Sequence, residues 1–346
     1  MSKLKVGIYG SYNYGNFGDD LQAIIIGKRV LENGLTPIFF RLSSDIADKY
    51  GFETTESINE LVYNSKFCLL GGGSNFQSGS SRLSKLWLDI EETCLELGKA
   101  LEENNCNLYS ISVGGDGSGK FAVFNYGRAQ LLASKQFKGG TVRLEEDVEL
   151  LNAYGKKAFY YPDILWLTHT YWPKSSLNEK KTYNIGVNLN IDRGYRRFVK
   201  SLIFLSKFLE IKLHFIRLHH PQYNLNYEWQ PLRESKKIEC LTYSDIDLFL
   251  GKVSELDVII SSKLHVGMVS FGYGCNFYSL GGAGKTISFL KSINLEENII
   301  KITGRINSII NAWSLVSRRN NDQVRDFSDE ISKANGHLKF IDKLCS

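Results

Sequence analysis

Short apolar runs alternate with longer amphipathic stretches along the chain, and this alternation limits the possible folds more than any other feature. In the first half, the runs are KVGIY (5–9), TPIFF (36–40), KFCLL (66–70) and LYSISV (108–113), with weaker ones around 141–143 and 158–161. Helix-length stretches lie between them, at 20–33, 82–103 and 145–154. This pattern is typical of βα units around a parallel sheet. The first half is therefore predicted to be a doubly wound α/β domain.

A polar stretch at 171–181, YWPKSSLNEKK, interrupts the alternation and has the composition of a linker. The pattern then restarts, with strands predicted at 183–188, 212–216, 257–260 and 276–280 and helices near 195–209, 245–254, 265–273 and 286–293. We predict an N-terminal α/β domain at 1–175, a C-terminal α/β domain at 176–320, and a helical segment at 321–346 that could pack back on the first domain. Two facing parallel sheets would leave a cleft at their carboxyl ends, where such folds bind ligands.

Composition excludes several classes of protein. The 42 Lys and Arg residues nearly balance 37 Asp and Glu residues, so the net charge of +5 does not predict a nucleic-acid partner. The six cysteines are scattered, which indicates free thiols in a reducing compartment, and no cluster of metal ligands is visible. The N-terminus lacks the apolar core of a signal peptide, and the most apolar stretch, 201–218, contains several charged residues. We therefore expect a cytoplasmic protein.

Two glycine-rich turns that follow predicted strands stand out, and a third, at 114–120, is interpreted as a plain loop. The first, GSYNYGNFGDD at 10–20, leads into a helix, so Asp19 and Asp20 would sit at the helix start as caps or as a base. A plain tight turn with a capping aspartate explains this segment equally well. In the second turn, Gly71, Gly72 and Gly73 are consecutive, which indicates a sharp bend or a backbone that admits a ligand. For this turn we favour a functional role.

The segment DVIISSKLHVGMVSFGYGCNFYSLGGAGK at 257–285 is the most informative part of the sequence. A buried strand ends at two serines, either of which could cap the next helix, and Lys263 and His265 follow directly. Free backbone N–H groups beside a cationic side chain predict an anion site. His265 could equally be a packed or surface histidine, and Lys285 could serve the structure or a phosphate or carboxylate.

Two further features allow both a structural and a functional explanation. Arg143 ends a predicted strand and could bind a carboxylate or phosphate, but a salt bridge between Arg143 and Asp163 would also explain it. The predicted helix at 195–209 has a basic start and apolar positions at helical spacing. It could touch anionic lipid, or it could be an ordinary helix that faces the core, which we favour.

Taken together, these motifs resemble those of the polysaccharide pyruvyltransferase family over most of the chain. The family's G-N-x-G-D corresponds to residues 15–19, its glycine triplet to residues 71–73, and its proline-aspartate to residues 162–163. Its most specific mark, serine-arginine-leucine-histidine, is similar to residues 262–265, and its downstream lysine corresponds to Lys285. The resemblance implies an α/β fold with two facing Rossmann-like domains of the glycosyltransferase-B type and a cleft between them.

The resemblance also implies an activity. Such enzymes move the pyruvyl group of phosphoenolpyruvate onto a sugar of a bacterial cell-surface polysaccharide precursor as a ketal and release phosphate. Phosphoenolpyruvate would be a co-substrate, no further cofactor or metal is implied, and the sugar acceptor could be lipid-linked, at the inner face of the membrane. His265 would supply a proton and Asp19 would position or deprotonate a hydroxyl. The donor would be bound by Arg143, Ser262, Lys263 and Lys285, and the acceptor side would include Asn16, Gly18, Gly71, Gly72, Gly73 and Asn75.

Two positions depart from the family pattern. Lys263 stands where arginine is usual, and Leu144 stands where aspartate is usual. Because lysine cannot form the two-pronged contact that arginine makes with a carboxylate or phosphate, the donor would be held differently here. The alternatives are a nucleotide-sugar-dependent glycosyltransferase of the same architecture and an inactive, glycan-binding relative.

Overall fold

A computed structural model describes residues 4–78, 85–116, 125–174, 182–190, 193–223, 236–282, 284–302, 304–317 and 325–346. The chain divides into two compact units, of which unit 1 comprises Met1–Ile164 together with Ser328–Ser346, and unit 2 comprises Leu165–Phe327. The expected linker continues beyond the described residues at 175–181, while its first part belongs to unit 2. Residues 82–84 and 322–324 of two predicted helical stretches also lie outside the described part.

Unit 1 contains a parallel sheet covered by helices. Within its described residues, the strands pair in the order β3-β2-β1-β4-β5-β6-β7. These strands are β1 (Lys5–Tyr9), β2 (Thr36–Phe40), β3 (Glu53–Thr55), β4 (Ser65–Gly71), β5 (Leu108–Val113), β6 (Phe137–Val142) and β7 (Lys157–Tyr160). The helices between them are α1 (Phe17–Glu32), α2 (Ser44–Tyr50), α3 (Ile58–Tyr63), α4 (Lys85–Glu103), α5 (Tyr126–Ala133) and α6 (Glu145–Ala153). The central strands are buried along almost their whole length, which explains their continuous apolar runs.

Unit 2 contains a second parallel sheet, whose described strands pair in the order β10-β9-β8-β11-β12-β13. They are β8 (Tyr183–Asn188), β9 (Ile211–Arg217), β10 (Ile238–Thr242), β11 (Val258–Ser261), β12 (Asn276–Leu280) and β13 (Ile299–Ile300). The α-helices are α7 (Thr168–Tyr171), α8 (Arg193–Ser206), α9 (Ile246–Ser254), α10 (Leu264–Gly272), α11 (Gly284–Ser292) and α12 (Arg305–Ser317), and 3₁₀ turns lie at Ile164–Leu167, Pro221–Tyr223 and Glu296–Asn298. The α/β class with two parallel sheets, predicted from the alternation, is thus confirmed.

The chain returns to unit 1 through α13 (Ser328–Cys345). Arg29 of α1 pairs with Asp342, and the buried His337 bonds to Thr141 of β6 at 2.7 Å and to the carbonyl of Pro162 at 2.9 Å. Since a carbonyl only accepts, His337 Nε2 donates to Pro162 and Nδ1 accepts from the Thr141 hydroxyl. Burial lowers the pKa of His337 to about 4, so its imidazole is neutral at physiological pH.

The strand orders locate the place where each sheet can bind a ligand. Connections leave in opposite directions from β1 and β4 in unit 1, and from β8 and β11 in unit 2. The carboxyl ends of such strand pairs form the crevice in which open α/β sheets bind ligands. In unit 1 these ends carry the two glycine-rich turns, and in unit 2 the end of β11 carries the serine-lysine-leucine-histidine corner.

Candidate active site

Asn16 caps the first helix of unit 1. Its side-chain oxygen accepts hydrogen bonds from the backbone N–H groups of Gly18 at 2.9 Å and Asp19 at 3.4 Å. The prediction that the aspartates cap this helix was therefore wrong, because they already lie within its first turn. Asp20 is buried there, whereas Asp19 is half-buried. Asn16 and Gly18 thus form the helix start, and Asp19 keeps a partly open carboxylate beside it.

The glycine triplet packs against this first turn. A Cβ atom on Gly71 would lie 2.2 Å from the Tyr12 hydroxyl, one on Gly72 would lie 2.4 Å from Gln22 Oε1, and one on Gly73 would lie 3.2 Å from Asp19 Oδ1. Gly72 and Gly73 also have positive φ angles, which favour glycine. The two turns that sequence analysis singled out are therefore brought together in unit 1.

Hydrogen bonds hold the triplet in this conformation. Gly73 N donates to Gln22 Oε1 at 2.5 Å, and Asn75 Nδ2 donates to the carbonyls of Gly72 at 2.9 Å and Gly71 at 3.3 Å. Asn75 is buried and its amide closes the turn on itself. Asn75 therefore shapes the loop.

A chain of polar side chains runs beneath the triplet. Gln22 Nε2 donates to Asp163 Oδ1 at 3.0 Å, and Arg143 Nη1 forms an ion pair with Asp163 Oδ2 at 2.5 Å. The Arg143 and Asp163 side chains are only 4% and 1% exposed. Arg143 Nη2 also donates to the Ser74 hydroxyl at 3.3 Å. The salt bridge that sequence analysis held open for Arg143 thus exists in the structure.

Sequence reasoning missed several buried polar residues around this site. Arg128 pairs with Glu91 at 2.7 Å and donates to the carbonyls of Asn75 and Gln77, so it fixes the loop after β4. Asp147 accepts from Gly115 N at 2.9 Å, and burial raises the pKa of the Asp147 carboxyl to about 7 despite that hydrogen bond and nearby Arg143. A polar side chain on an otherwise apolar helix face, such as Gln22 among isoleucines, is the signal that could have revealed them.

In unit 2, the corner between β11 and α10 differs from the prediction. Neither serine is the N-cap, because the Ser261 hydroxyl donates to Asn188 Oδ1 at 3.0 Å and accepts from Lys263 N at 2.8 Å, one residue before the helix. Lys263 itself is the N-cap, and its side chain makes no capping hydrogen bond. The N–H groups of the first helical turn therefore receive no hydrogen bond from the N-cap side chain.

Polar side chains gather at this corner. Lys263 and His265 are half-buried at the start of α10. The Ser262 hydroxyl is buried and has no hydrogen-bond partner among the described residues. A buried hydroxyl without a partner costs stability, so its retention points to a ligand or an ordered water.

A second turn on the neighbouring strand repeats this arrangement. Ser261 is paired in register with Ser279 of β12, and Lys285 and Thr286 lie in the first turn of α11. The buried hydroxyls of Ser279 and Thr286 have no partner in the part of unit 2 that the structure describes. A Cβ atom on Gly282 would lie 2.4 Å from Ser279 Oγ and 3.0 Å from Thr286 Cβ, so the glycine leaves room where these side chains approach.

The site residues expected from sequence thus fall into two clusters. Unit 1 groups Asn16, Gly18, Asp19, the glycine triplet, Asn75 and Arg143, and unit 2 groups Ser262 with Lys263 and His265 on one strand end and Lys285 on the next. Ser279 and Thr286 are additions from the structure. Within the described residues, no set of three His, Cys, Asp or Glu side chains is arranged to hold a metal ion.

Comparisons with known proteins agree with this architecture. Solved structures with the same fold include a UDP-N-acetylglucosamine 2-epimerase from Methanocaldococcus jannaschii, at 10% identity and a TM-score of 0.62, which covers 99% of each chain. The Neisseria meningitidis 2-epimerase bound to UDP-GlcNAc has 8% identity and a TM-score of 0.58, covering 98% of this chain and 99% of that one. S. aureus MnaA in its UDP co-structure has 11% identity and a TM-score of 0.62, covering 98% and 92%.

Sequence comparison is more specific about the family. No curated protein matches the chain significantly. The family model described as polysaccharide pyruvyl transferase matches residues 16–283, a span that includes the first turn, the glycine triplet and the serine-lysine-leucine-histidine corner. Because this match covers well over half of the 346 residues, the chain belongs to the polysaccharide pyruvyl transferase family and is a transferase.

Proposed function

We propose that this protein transfers the pyruvyl group of phosphoenolpyruvate to a sugar of a bacterial cell-surface polysaccharide precursor as a ketal and releases phosphate. The observation that carries the proposal is the set of buried hydroxyls without described partners at Ser262, Ser279 and Thr286. They lie beside cationic side chains at the starts of two helices, α10 and α11. Hydroxyl donors, lysines and helix N-termini are the groups that bind small anions.

The two helix starts match in number the two anionic groups of the donor. Phosphoenolpyruvate carries a phosphate and a carboxylate, and unit 2 offers one helix start with Ser262 and Lys263 and another with Lys285 and Thr286. We assign donor binding chiefly to these residues, because the Arg143 side chain of unit 1 is only 4% exposed. Lysine in place of the family's usual arginine would hold the donor as a point charge.

The proposed chemistry needs one acid and one base. His265 donates a proton to the methylene carbon of phosphoenolpyruvate, which becomes a methyl group and leaves the central carbon electrophilic. One sugar hydroxyl adds to this carbon, and a second hydroxyl then displaces phosphate, so two C–O bonds form and one breaks. The two hydroxyl protons replace the one taken from His265 and protonate the leaving phosphate. Asp19 is proposed to accept the proton of one hydroxyl and to pass it to the leaving phosphate, and the donor site stabilises the charge that grows on phosphate.

A nucleotide-sugar-dependent glycosyltransferase is the second candidate. One structural neighbour was solved with UDP and another with UDP-GlcNAc, and a diphosphate needs the same kind of donor groups that α10 and α11 present. In that reaction Lys263 and Lys285 would hold the diphosphate and the glycine triplet would meet the acceptor. The two candidates differ in the product that they release.

An incubation with both donors distinguishes them. The purified protein is mixed with galactose- or mannosamine-containing acceptors and either phosphoenolpyruvate or UDP-GlcNAc, and free phosphate and UDP are measured. We expect phosphate from phosphoenolpyruvate, a ketal product by mass spectrometry, and no UDP. His265→Ala should lower kcat at least about 100-fold with little change in KM, because it removes the proton donor and not the anion site.

Two lysine variants provide the matched control. Lys263→Arg keeps the charge and should retain activity, whereas Lys263→Gln should raise the KM for phosphoenolpyruvate about tenfold or more, as loss of a charge-assisted hydrogen bond predicts. Release of UDP with no phosphate would replace the first candidate by the second. Full activity of His265→Ala would remove His265 from the mechanism.

A further inference from the structure

Helices α8 and α12 pack side by side on one face of the unit 2 sheet. Their inner sides are buried in one apolar cluster, to which α8 contributes Phe198 and Leu202 and α12 contributes Ala312, Leu315 and Val316. These residues explain why the two helices fold where they do. They do not account for the apolar side chains that the same helices turn outward.

The outer surface of this helix pair is unusually apolar. Six large hydrophobic side chains are exposed on it or just beyond the end of α8, and Phe208 and Trp313 are 71% and 55% exposed. A groove of about 550 Å³ lies between Phe204 on α8 and Ile309 and Trp313 on α12. The six side chains are Phe204, Phe208, Ile306, Ile309, Ile310 and Trp313. We call this surface the α8–α12 face.

The same surface is positively charged. Four cationic side chains, Arg196, Arg197, Lys200 and Lys207, are exposed on α8 or just beyond its end, and neither α8 nor α12 contains Asp or Glu. For comparison, the net charge of the whole chain is +5. Arg197 and Lys200 line the groove beside Phe204, and within the described residues neither makes an ion pair. Basic and apolar side chains are therefore interleaved on one surface.

We propose that the α8–α12 face docks on the surface of an anionic lipid bilayer. Apolar side chains with an aromatic ring enter the headgroup region, and the surrounding arginines and lysines bind anionic headgroups, which is how amphipathic surfaces attach without spanning a membrane. Along the described residues, no helix is long and apolar enough to cross a bilayer. The expectation that the helix at 195–209 faces the core is confirmed for its inner side, and the lipid contact proposed here concerns its exposed outer side.

Charge favours lipid over a second copy of the chain. A symmetric dimer through this surface would place these four positive charges of one copy against the same four of the other, with no acidic residue on either helix to neutralise them. An anionic bilayer supplies the opposite charge and the apolar layer together. The proposal does not depend on the proposed function, although a bilayer dock would place a transferase beside any lipid-linked sugar.

Vesicle co-sedimentation tests the proposal. The full chain is mixed with vesicles of phosphatidylcholine alone or of phosphatidylcholine with phosphatidylglycerol, at low and high salt. We expect binding to the anionic vesicles only, with loss at high salt. Arg197→Gln/Lys200→Gln should weaken binding about 25-fold, since each basic side chain contributes about fivefold near an anionic surface. Trp313→Ala should weaken it about tenfold through lost apolar contact.

Matched control variants distinguish binding through this surface from nonspecific binding to vesicles. Leu248→Ala removes a side chain that is 75% exposed from α9, and Lys99→Gln/Lys135→Gln removes two exposed charges from unit 1, so both variants should bind vesicles like the original protein. Circular dichroism and thermal unfolding establish that each variant is folded. Equal binding by all variants, or no binding at low salt, would overturn the proposal. If light scattering showed a dimer that Trp313→Ala abolishes, the partner of the α8–α12 face would be a second copy of the chain and not lipid.

Discussion

The two sheets differ in which of the buried polar groups near their ligand-side edges are paired. In unit 1, the charged groups pair with one another, as Arg143 does with Asp163 and Arg128 with Glu91, and the Tyr12 and Ser110 hydroxyls are left without described partners. In unit 2, the hydroxyls of Ser262, Ser279 and Thr286 near two adjacent helix starts have no partner among the described residues, and the Lys212–Glu239 ion pair is 36% exposed on both sides. A paired buried group serves the fold, whereas an unpaired one lowers stability unless something binds to it. In the proposed function, unit 1 accordingly provides a frame of paired charges and unit 2 provides the hydroxyls that bind the anion.

Breaking the buried ion pair of unit 1 should give the largest effect. Arg143→Met removes the partner of Asp163 and leaves a buried carboxylate uncompensated, so we expect the free energy of unfolding to fall by about 3–5 kcal/mol. Urea unfolding followed by circular dichroism measures this loss. Lys5→Met, which breaks the more exposed pair with Glu53, should cost at most about 1 kcal/mol. If both variants lost the same small amount, Arg143 would not be part of the frame.

The pH dependence of the free energy of unfolding tests whether the buried imidazole of His337 stays neutral in the folded protein. The pKa of His337 is about 4 in the folded protein and near 6.5 when unfolded, so below pH 6.5 the unfolded chain takes up a proton that the folded chain does not. The contribution of His337 is therefore complete above pH 6.5 and should fall by about 3 kcal/mol as the pH drops to 4. Urea unfolding of the original protein and of His337→Gln across this pH range gives the contribution of His337 as the difference between their free energies of unfolding.

Asp147 should change the free energy of unfolding with pH in the opposite direction. Its pKa is raised to about 7, so its contribution is complete below its ordinary pKa of about 3.8 and is lost as the pH rises through 7. Asp147→Asn should therefore gain stability relative to the original protein as the pH rises, whereas His337→Gln should lose it. Parallel pH profiles for both variants would show that neither group titrates as its burial indicates.

The smallest effect on stability is expected in unit 2. Ser279→Ala and Thr286→Val each remove a hydroxyl without a described partner and should change the free energy of unfolding by less than about 1 kcal/mol. Ser270→Ala is the matched control, because its buried hydroxyl already donates to the Gly267 carbonyl at 2.7 Å. Isothermal calorimetry with phosphoenolpyruvate should show weaker binding by the first two variants and unchanged binding by the control. Unchanged binding by all three would assign the hydroxyls of Ser279 and Thr286 to water.

The sequence predicts the central strands well and the sheet edges poorly. Strands such as β1 and β4 are buried on both faces, so their apolar runs stand out, whereas β3 and β10 are short and partly exposed and were missed. Helix α12 was also missed, because its outward isoleucines and tryptophan obscure the usual polar face. Prediction of a helix from hydrophobic periodicity assumes that one face of the helix is polar.

The site was predictable where backbone conformation fixes the residue type. Glycines 71–73 could be singled out because positive φ angles and close packing require them. The role of Gln22 could not, because it depends on a contact with Asp163, which is 141 positions away. Thr286, which directly follows Lys285, was not assigned to the site, since spacing alone does not show that its hydroxyl is buried without a described partner.

The return of α13 to unit 1 has a consequence for synthesis and for dissection of the protein. Unit 1 is assembled from two stretches of chain, and the second, 328–346, emerges from the ribosome only after all of unit 2. Until then the Thr141 hydroxyl and the Pro162 carbonyl lack their hydrogen bonds to His337, so the contacts within the first unit are incomplete. An isolated first unit would therefore have to be built by joining residue 164 directly to residue 328, not by stopping translation at the boundary.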